Sequence, residues 1–306
     1  MRRLFLTALL IMGCNGAQER HGGGGTGVGN GSGNGSGNGT GGGDASAGCT
    51  KMDILFIVDN SGSMEEEQTN LAQNFPKFID VLNNYMTGAG VPLDYHVGLT
   101  TTSLSEGAPP IPIPIPLPMG DDGALHDQAS CGMTRPWIER TDNDPAGQFS
   151  CVAKVGTDGS GHEQPLSAAK LALNDRIADG KNAGFLRPDA LLAVVILTDE
   201  DDQSTDASSM DIPVDQFIAN FDTVKSGHDR WATAVIAGPT ACMSAFGNAE
   251  EAVRLKDYVM KTGKQAVFSS ICDGDLAKSL GDALMTFTAA CDSFPIGKPA
   301  ASQPAR

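Results

Sequence analysis

Basic side chains are scarce. Only 21 Lys and Arg stand against 37 Asp and Glu in 306 residues, giving a formal net charge of −16 and a sequence pI near 4.5. Nucleic acid is gripped mainly by clustered Lys and Arg, so this balance excludes a phosphate-binding surface. Histidine is also rare, with five residues scattered and no His-Glu-x-x-His helix to suggest zinc. No two cysteines form a Cys-x-x-Cys pair of the zinc or redox kind. No Walker loop or Gly-x-Gly-x-x-Gly turn follows a strand, and Gly-x-Ser-x-Gly is missing. Gly159-Ser160-Gly161-His162 does bring a Ser near a His, but residues two apart in a loop rarely face each other. No repeat of solenoid length is apparent.

What is present begins with an export signal. Arg2 and Arg3 precede an apolar run, Leu4 to Met12, of about nine residues, far short of the roughly 20 that a spanning helix needs. Ile11-Met12-Gly13-Cys14 resembles the lipobox of bacterial lipoproteins, which implies a signal peptide over 1–13 and lipidation of Cys14. The alternative is a plain secretory signal with an incidental Cys. Asn15 follows Cys14 where a retention Asp would stand, so the resemblance favours the outer membrane over the inner. Residues 14–48, nearly all Gly with Asn, Ser and Thr over 22–43, read as a flexible linker that buries no apolar surface. Residues 292–306, with several Pro and Ala and no periodicity, read as a disordered tail. Removing these ends removes five basic and three acidic residues, so the body at 49–291 is the acidic part.

Six of the seven cysteines lie in that body: Cys49, Cys131, Cys151, Cys242, Cys272 and Cys291. Their number points to disulfides in an oxidising compartment. Six cysteines allow 15 pairings, which sequence alone does not distinguish. We expect Cys131 with Cys151 and Cys242 with Cys272, leaving Cys49 to meet Cys291 and join the ends of the domain.

The body alternates strand and helix. Asp53 to Val58 and Leu191 to Leu197 are continuous apolar runs, the pattern of strands buried on both faces. Leu71, Phe75, Phe78, Ile79 and Leu82 mark one face of a helix, with Pro76 inside it as a kink. A strand is expected at about Tyr95 to Thr101. From Thr102 to Val152 the periodicity vanishes, and Ile-Pro alternation over 111–118 must be extended, so 102–152 reads as an inserted loop region. Pro165 then opens a helix through Leu166, Ala169, Leu173 and Ile177. Further on come a helix from Pro213, a strand at Trp231 to Ala237, a helix near Asn248 to Met260, a strand at Ala266 to Ser269, and a last helix through Leu276, Leu280, Leu284 and Phe287. This order implies an α/β layered fold with a mostly parallel sheet.

The informative residues stand where strands end. Asp59-Asn60-Ser61-Gly62-Ser63 follows the first apolar strand, at the crevice where open α/β sheets bind ligands. One carboxylate and two hydroxyls at i, i+2 and i+4 can converge on a hard cation, and oxygen ligands favour Mg²⁺, Ca²⁺ or Mn²⁺ over zinc or copper. Thr198-Asp199-Glu200-Asp201-Asp202 ends the second apolar strand; if the two strands are neighbours, Asp199 reaches the same crevice.

Together, Asp59-x-Ser61-x-Ser63 after Ile-Leu-Phe-Ile-Val, with Thr198-Asp199, resemble the metal-ion-dependent adhesion site (MIDAS) of von Willebrand factor type A (VWA) domains, over residues 50 to 290. The resemblance implies a Rossmann-like, doubly wound sheet of six strands between helices. It implies a divalent cation, Mg²⁺ foremost with Ca²⁺ and Mn²⁺ as alternatives, held by Asp59, Ser61, Ser63 and Asp199. It also implies a protein partner whose acidic residue completes the coordination. The family's remaining ligand, a Thr before a middle helix, has Thr157 as its nearest match here, several residues further from the helix than the family spacing. Glu163 is the alternative ligand, and it would neutralise the cation more fully.

The implied function is a surface-anchored, cation-dependent adhesion or interaction module without catalysis. Two other readings remain. One is a structural or assembly subunit of a bacterial envelope complex; the other is a metal-assisted hydrolase with His162 or Glu163 as base. An aspartyl-phosphate phosphatase is disfavoured because Ser61 stands where a second Asp is needed.

Overall fold

The computed structural model describes residues 48–105, 120–244 and 247–295. Cys14, most of the linker, the Ile-Pro stretch and the end of the tail lie outside the described residues. Six strands make the main sheet: β1 (Lys51–Val58), β2 (Asp94–Thr101), β3 (Ile138–Glu139), β4 (Leu191–Leu197), β5 (Trp231–Ala237) and, later in the chain, β8 (Ala266–Ser270). Their order across the sheet is β3-β2-β1-β4-β5-β8, and every pairing is parallel except the short antiparallel edge β2–β3.

Helices cover both faces, and the reason is visible in the strands. Alternate residues of a strand point to opposite faces. In β1, Met52, Ile54, Phe56 and Val58 belong to one apolar core while Leu55 and Ile57 belong to the other. In β4, Leu191, Ala193, Val195 and Leu197 divide from Leu192, Val194 and Ile196 in the same way. The first face is packed by α1 (Glu65–Asn84), α2 (Pro145–Val152) and α7 (Leu276–Asp292); the second by α3 (Pro165–Leu173), α5 (Val214–Lys225) and α6 (Val253–Thr262). The fold is therefore α/β and doubly wound, with a mostly parallel sheet flanked by helices. Among the described residues no helix is long and apolar enough to cross a membrane.

Several elements differ from the sequence expectations. The segment expected as a pure loop carries β3 and α2. Phe149 of α2 packs against Phe56 and Phe75, and Pro145 at the helix start follows Asp144, whose carboxylate accepts from the Gly147 N–H. Eight residues with two buried apolar positions are too short to show a helical period. The helix from Pro165 stops at Leu173 and resumes as α4 (Asp175–Ala178). The helix expected near Asn248 begins only at Val253, because β6 (Cys242–Ser244) and β7 (Gly247–Ala249) form a hairpin before it. Residues at the start of the expected tail are packed: Asp292 ends α7, Phe294 is buried, and the Arg230 guanidinium lies 4.4 Å from its ring centroid.

Three disulfides join Cys49 to Cys291, Cys131 to Cys151 and Cys242 to Cys272, the pairs expected above. The first ties the start of the body to α7, where the Cys49 N–H also donates to the Cys291 carbonyl at 2.7 Å. The third tethers the β6–β7 hairpin beside the start of α7.

Candidate metal centre

The sheet places the site. Reading along the chain, β1 and β2 run to one side and β4, β5 and β8 to the other, so the order reverses between β1 and β4. Val58 pairs with Leu197 in register, and the next residues, Asp59 and Thr198, stand side by side at this switch point. Thr102 follows β2 in the same row, its N–H donating to the Val58 carbonyl at 3.3 Å.

Asp59 is fully buried and held from three directions. Its Oδ1 accepts from the Ser61 N–H at 2.8 Å, its Oδ2 accepts from Thr198 Oγ1 at 2.6 Å, and its own N–H donates to the Leu197 carbonyl at 2.9 Å. Ser61 Oγ lies 3.2 Å from Ser63 Oγ, and the Ser63 hydroxyl meets the Asp199 carboxyl. Glu163 and Asp199 face the same crevice as Asp59, whose charge acts on both of them. Thus Asp59, Ser61, Ser63, Asp199 and Glu163 converge.

Thr157 is nearby, with its carbonyl beside Gly62. It is half-buried, its carbonyl lies 4.0 Å from the place a Cβ on Gly62 would take, and its hydroxyl makes no hydrogen bond among the described residues. The adjacent Gly156 carbonyl is fixed by Gln68 Nε2 at 2.8 Å; the same nitrogen reaches the Asp59 carbonyl at 3.0 Å. Gln68, one turn into α1, is a positioning residue that the sequence analysis did not find, as are the roles of Thr102 and Thr198. The signal for the two threonines was their place at strand ends.

The acidic run after β4 is divided among different tasks. Asp201 accepts from the N–H groups of Arg254 and Leu255 and so caps α6. Asp202 accepts from the Leu166 N–H at 3.0 Å, capping α3, and its other oxygen takes Arg254 Nε at 2.7 Å. Asp199 is left for the site, with Glu200 at its rim. Behind them Gly238 passes so close to the next loop that a Cβ there would lie 1.9 Å from the Glu250 carbonyl oxygen. That approach lets the Glu250 N–H reach the Asp199 carbonyl at 2.8 Å.

The charge at this point is unbalanced. No ion pair among the described residues involves Asp59, Glu67, Glu163, Asp199 or Glu200. Burial, opposed by the hydrogen bonds from Thr198 and Ser61, raises Asp59 above the usual carboxylate range. Burial, and then the Asp59 charge, pushes Glu163 up to about 8; burial raises Asp199 to about 6; burial with the Asp59 and Asp199 charges raises Glu200 to about 7. Two buried oxygens, Glu163 Oε1 and Asp199 Oδ1, have no hydrogen-bond partner. Such a set is costly to bury unless protons or a cation offset its charge.

The donors suit a hard ion. Among the described residues no three His, Cys, Asp or Glu side chains are arranged to hold a metal by themselves. The set here mixes carboxylates with the Ser61 and Ser63 hydroxyls, all oxygen and none nitrogen or sulfur, which fits Mg²⁺, Mn²⁺ or Ca²⁺. When bound, such an ion would supply a positive centre open to a further oxygen ligand. Asp59 and Asp199 would hold it by charge, and Thr198 would orient Asp59.

No protein-family model matches the chain, and no curated protein matches it. Among solved structures it is similar to proximal thread matrix protein 1 of the mussel byssus, at 12% identity and a TM-score of 0.45, over 79% of this chain and 49% of that one. A second structure of that mussel protein, with a zinc-occupied MIDAS motif, is similar at 11% identity and a TM-score of 0.42, over 77% and 48% of the two chains. The manganese-loaded TRAP protein of Plasmodium vivax is similar at 12% identity and a TM-score of 0.37, over 80% and 74%. The chain spans about half the length of the mussel protein. Likeness this distant adds nothing to the site, whose description rests on the geometry above.

Proposed function

We propose that the chain is a VWA-type binding module that engages a protein partner through a divalent cation, Mg²⁺ foremost, at the Asp59 site. One observation supports this most: buried carboxyls from three separated segments meet at the sheet's switch point with no cationic side chain and two unpartnered oxygens. That is a poor arrangement for an empty core and a good one for holding an ion.

The proposal is for binding without catalysis. Ser160 Oγ accepts from the His162 backbone N–H at 3.0 Å, and the Ser160 N–H donates to Ser103 Oγ, so the Ser160 hydroxyl serves the loop. We further propose that the module is displayed on a bacterial envelope from a lipid on Cys14, in the outer membrane. Membrane fractionation of Cys14→Ser checks this, with release from the membrane as the expected result.

The test of the cation is thermal unfolding of the full chain in EDTA, Mg²⁺, Mn²⁺ and Ca²⁺. At about 100 times its dissociation constant an ion adds roughly 2.7 kcal/mol by mass action. A rise that vanishes in Asp59→Ala, with partner capture from envelope extracts lost alongside it, supports the reading. Equal unfolding in all four conditions would sink it.

A further inference from the structure

The loop before α3 offers two candidates for the remaining ligand, and the structure separates them. Glu163 stands two residues before Pro165, the first residue of α3, and is fully buried. Its backbone is pinned on both sides: its carbonyl accepts from the Gln203 N–H at 2.7 Å, and the next N–H, that of Gln164, donates to the Thr102 carbonyl at 3.3 Å. Its side chain is fixed as well. Oε2 accepts from Thr102 Oγ1, the Asp59 charge acts on the carboxyl, and Oε1 has no partner.

A fully buried carboxyl oxygen without a donor, set against another carboxyl, costs stability unless something positive reaches it. Arg254, a cationic side chain of the cleft beside His162, is occupied by Asp202 and by the carbonyls of Ser204 and Ile212. Thr157, by contrast, is half-buried, with its carbonyl beside Gly62 and its hydroxyl in no hydrogen bond among the described residues. Its hydroxyl competes for the ion against a charged oxygen that is already in place.

We infer that Glu163 is a resident ligand of the cation, in the place expected of Thr157, and that the loaded site is thereby closed to a carboxylate from a partner. This rests on the reading that the Asp59 site holds a divalent ion. Asp59, Asp199 and Glu163 do not form a ready-made cage of three carboxylates in this structure; drawn onto an ion, they would bring three negative charges to its two positive ones. The surroundings add more of the same sign. Glu200 lies at the rim, and a cleft of about 880 Å³ opens beside His162 with Asp201, Asp211, Glu250 and Asp257 in its walls, against one cation, Arg254, that Asp202 already pairs. A partner's Asp or Glu meets net repulsion there, which an ion held by Asp59 and Asp199 alone, its charge just balanced, would not impose. The partner group that reaches the ion is a neutral oxygen donor, and the partner surface that fits the cleft is basic.

Manganese is the probe. Its binding to the full chain is followed by electron paramagnetic resonance of free Mn²⁺, for wild type, Asp59→Ala, Glu163→Gln and Thr157→Val. The expected result is loss of binding in Asp59→Ala, at least a tenfold weakening in Glu163→Gln, and less than a twofold change in Thr157→Val. Circular dichroism in EDTA should show Glu163→Gln folded, because the change removes a buried acid and leaves Thr102 a partner. Acetate is then added to the manganese-loaded proteins. It should leave the spectrum of bound Mn²⁺ in wild type unchanged and perturb it in Glu163→Gln.

A wild type that binds Mn²⁺, loses it in Asp59→Ala and keeps it in Glu163→Gln overturns this inference while leaving the cation site standing. Acetate entering the wild-type coordination sphere overturns the closed site. A wild type that binds none of Mn²⁺, Mg²⁺ and Ca²⁺ overturns both the inference and the reading beneath it.

Discussion

Thr198 Oγ1 donates to Asp59 Oδ2 at 2.6 Å, although 139 residues of chain separate them. The same hydroxyl accepts from the Glu200 N–H at 3.1 Å, so one threonine aims the central carboxylate and shapes the turn that carries Asp199. A hydrogen bond from a neighbour that orients a metal-holding carboxylate is worth about 10- to 100-fold in metal affinity. We predict that Thr198→Val, which keeps the side-chain shape, weakens Mn²⁺ binding by about that factor while leaving the far-ultraviolet circular dichroism unchanged. A Mn²⁺ titration checks it, and unaltered affinity would mean that Asp59 is oriented by Ser61 alone.

Lys225 gives a pH dependence far from the metal site. It ends α5, is buried, and donates through Nζ to the Arg187 carbonyl at 2.7 Å. Burial lowers it to about 8, against an attraction from Asp53 that raises it. Between about 8 and its ordinary value near 10.5 the unfolded chain binds more protons than the folded one. Stability contributed by this residue therefore rises with pH across that window, by at most about 3 kcal/mol. Urea unfolding of wild type and Lys225→Met at pH 7.5 and pH 10 tests this, since titrations common to both proteins cancel. The wild type should gain on the variant at the higher pH; a constant difference would count against a neutral Lys225.

The Cys49–Cys291 bridge spans 242 residues of sequence and joins the entrance of β1 to the end of α7. In the chain-entropy view, closing so long a loop restricts the unfolded chain and stabilises the fold by up to about 5 kcal/mol. We predict that the double variant Cys49→Ser with Cys291→Ser loses that amount in guanidinium unfolding yet still binds Mn²⁺ when folded. The Asp59 site lies at the other end of β1. If cation binding disappears in a variant that remains folded, the ends of the domain are coupled to the site.

Parts of this protein are legible without any structure. Asp53 to Val58 and Leu191 to Leu197 are apolar at every position after the first Asp, and a chain can bury both faces of a strand only by covering it on both sides. That settles two central strands and helices above and below them. Asp59, Ser61 and Ser63 follow directly in sequence, so a single turn brings them together and their spacing alone marks them. The buried face of α1, with Leu71, Phe75, Phe78, Ile79 and Leu82, follows from a 3.6-residue period, and the helix runs through Pro76 to Asn84.

Other features have no local signature. The short helix α2 is fixed by Phe149 packing on Phe56 and Phe75, a contact between segments far apart in sequence. The β6–β7 hairpin has three residues in each strand, too few to show alternation, and is held by the Cys242–Cys272 bridge. Asp199, Asp201 and Asp202 are chemically alike in the sequence. They part company because β4 ends between the starts of α3 and α6, whose free N–H groups take Asp202 and Asp201.

The sequence by itself determined the two-faced strands, the first helix and the oxygen ligands carried on one turn, because each depends on residues within a few positions of one another. Tertiary structure alone decided that β1 and β4 are neighbours and that Thr198 aims Asp59. It also decided that Glu163 is buried beside the carboxylates while Thr157 stays half-buried. Those outcomes depend on strand order and on where a loop is pinned between two strand ends, and such long-range packing leaves no period in the chain.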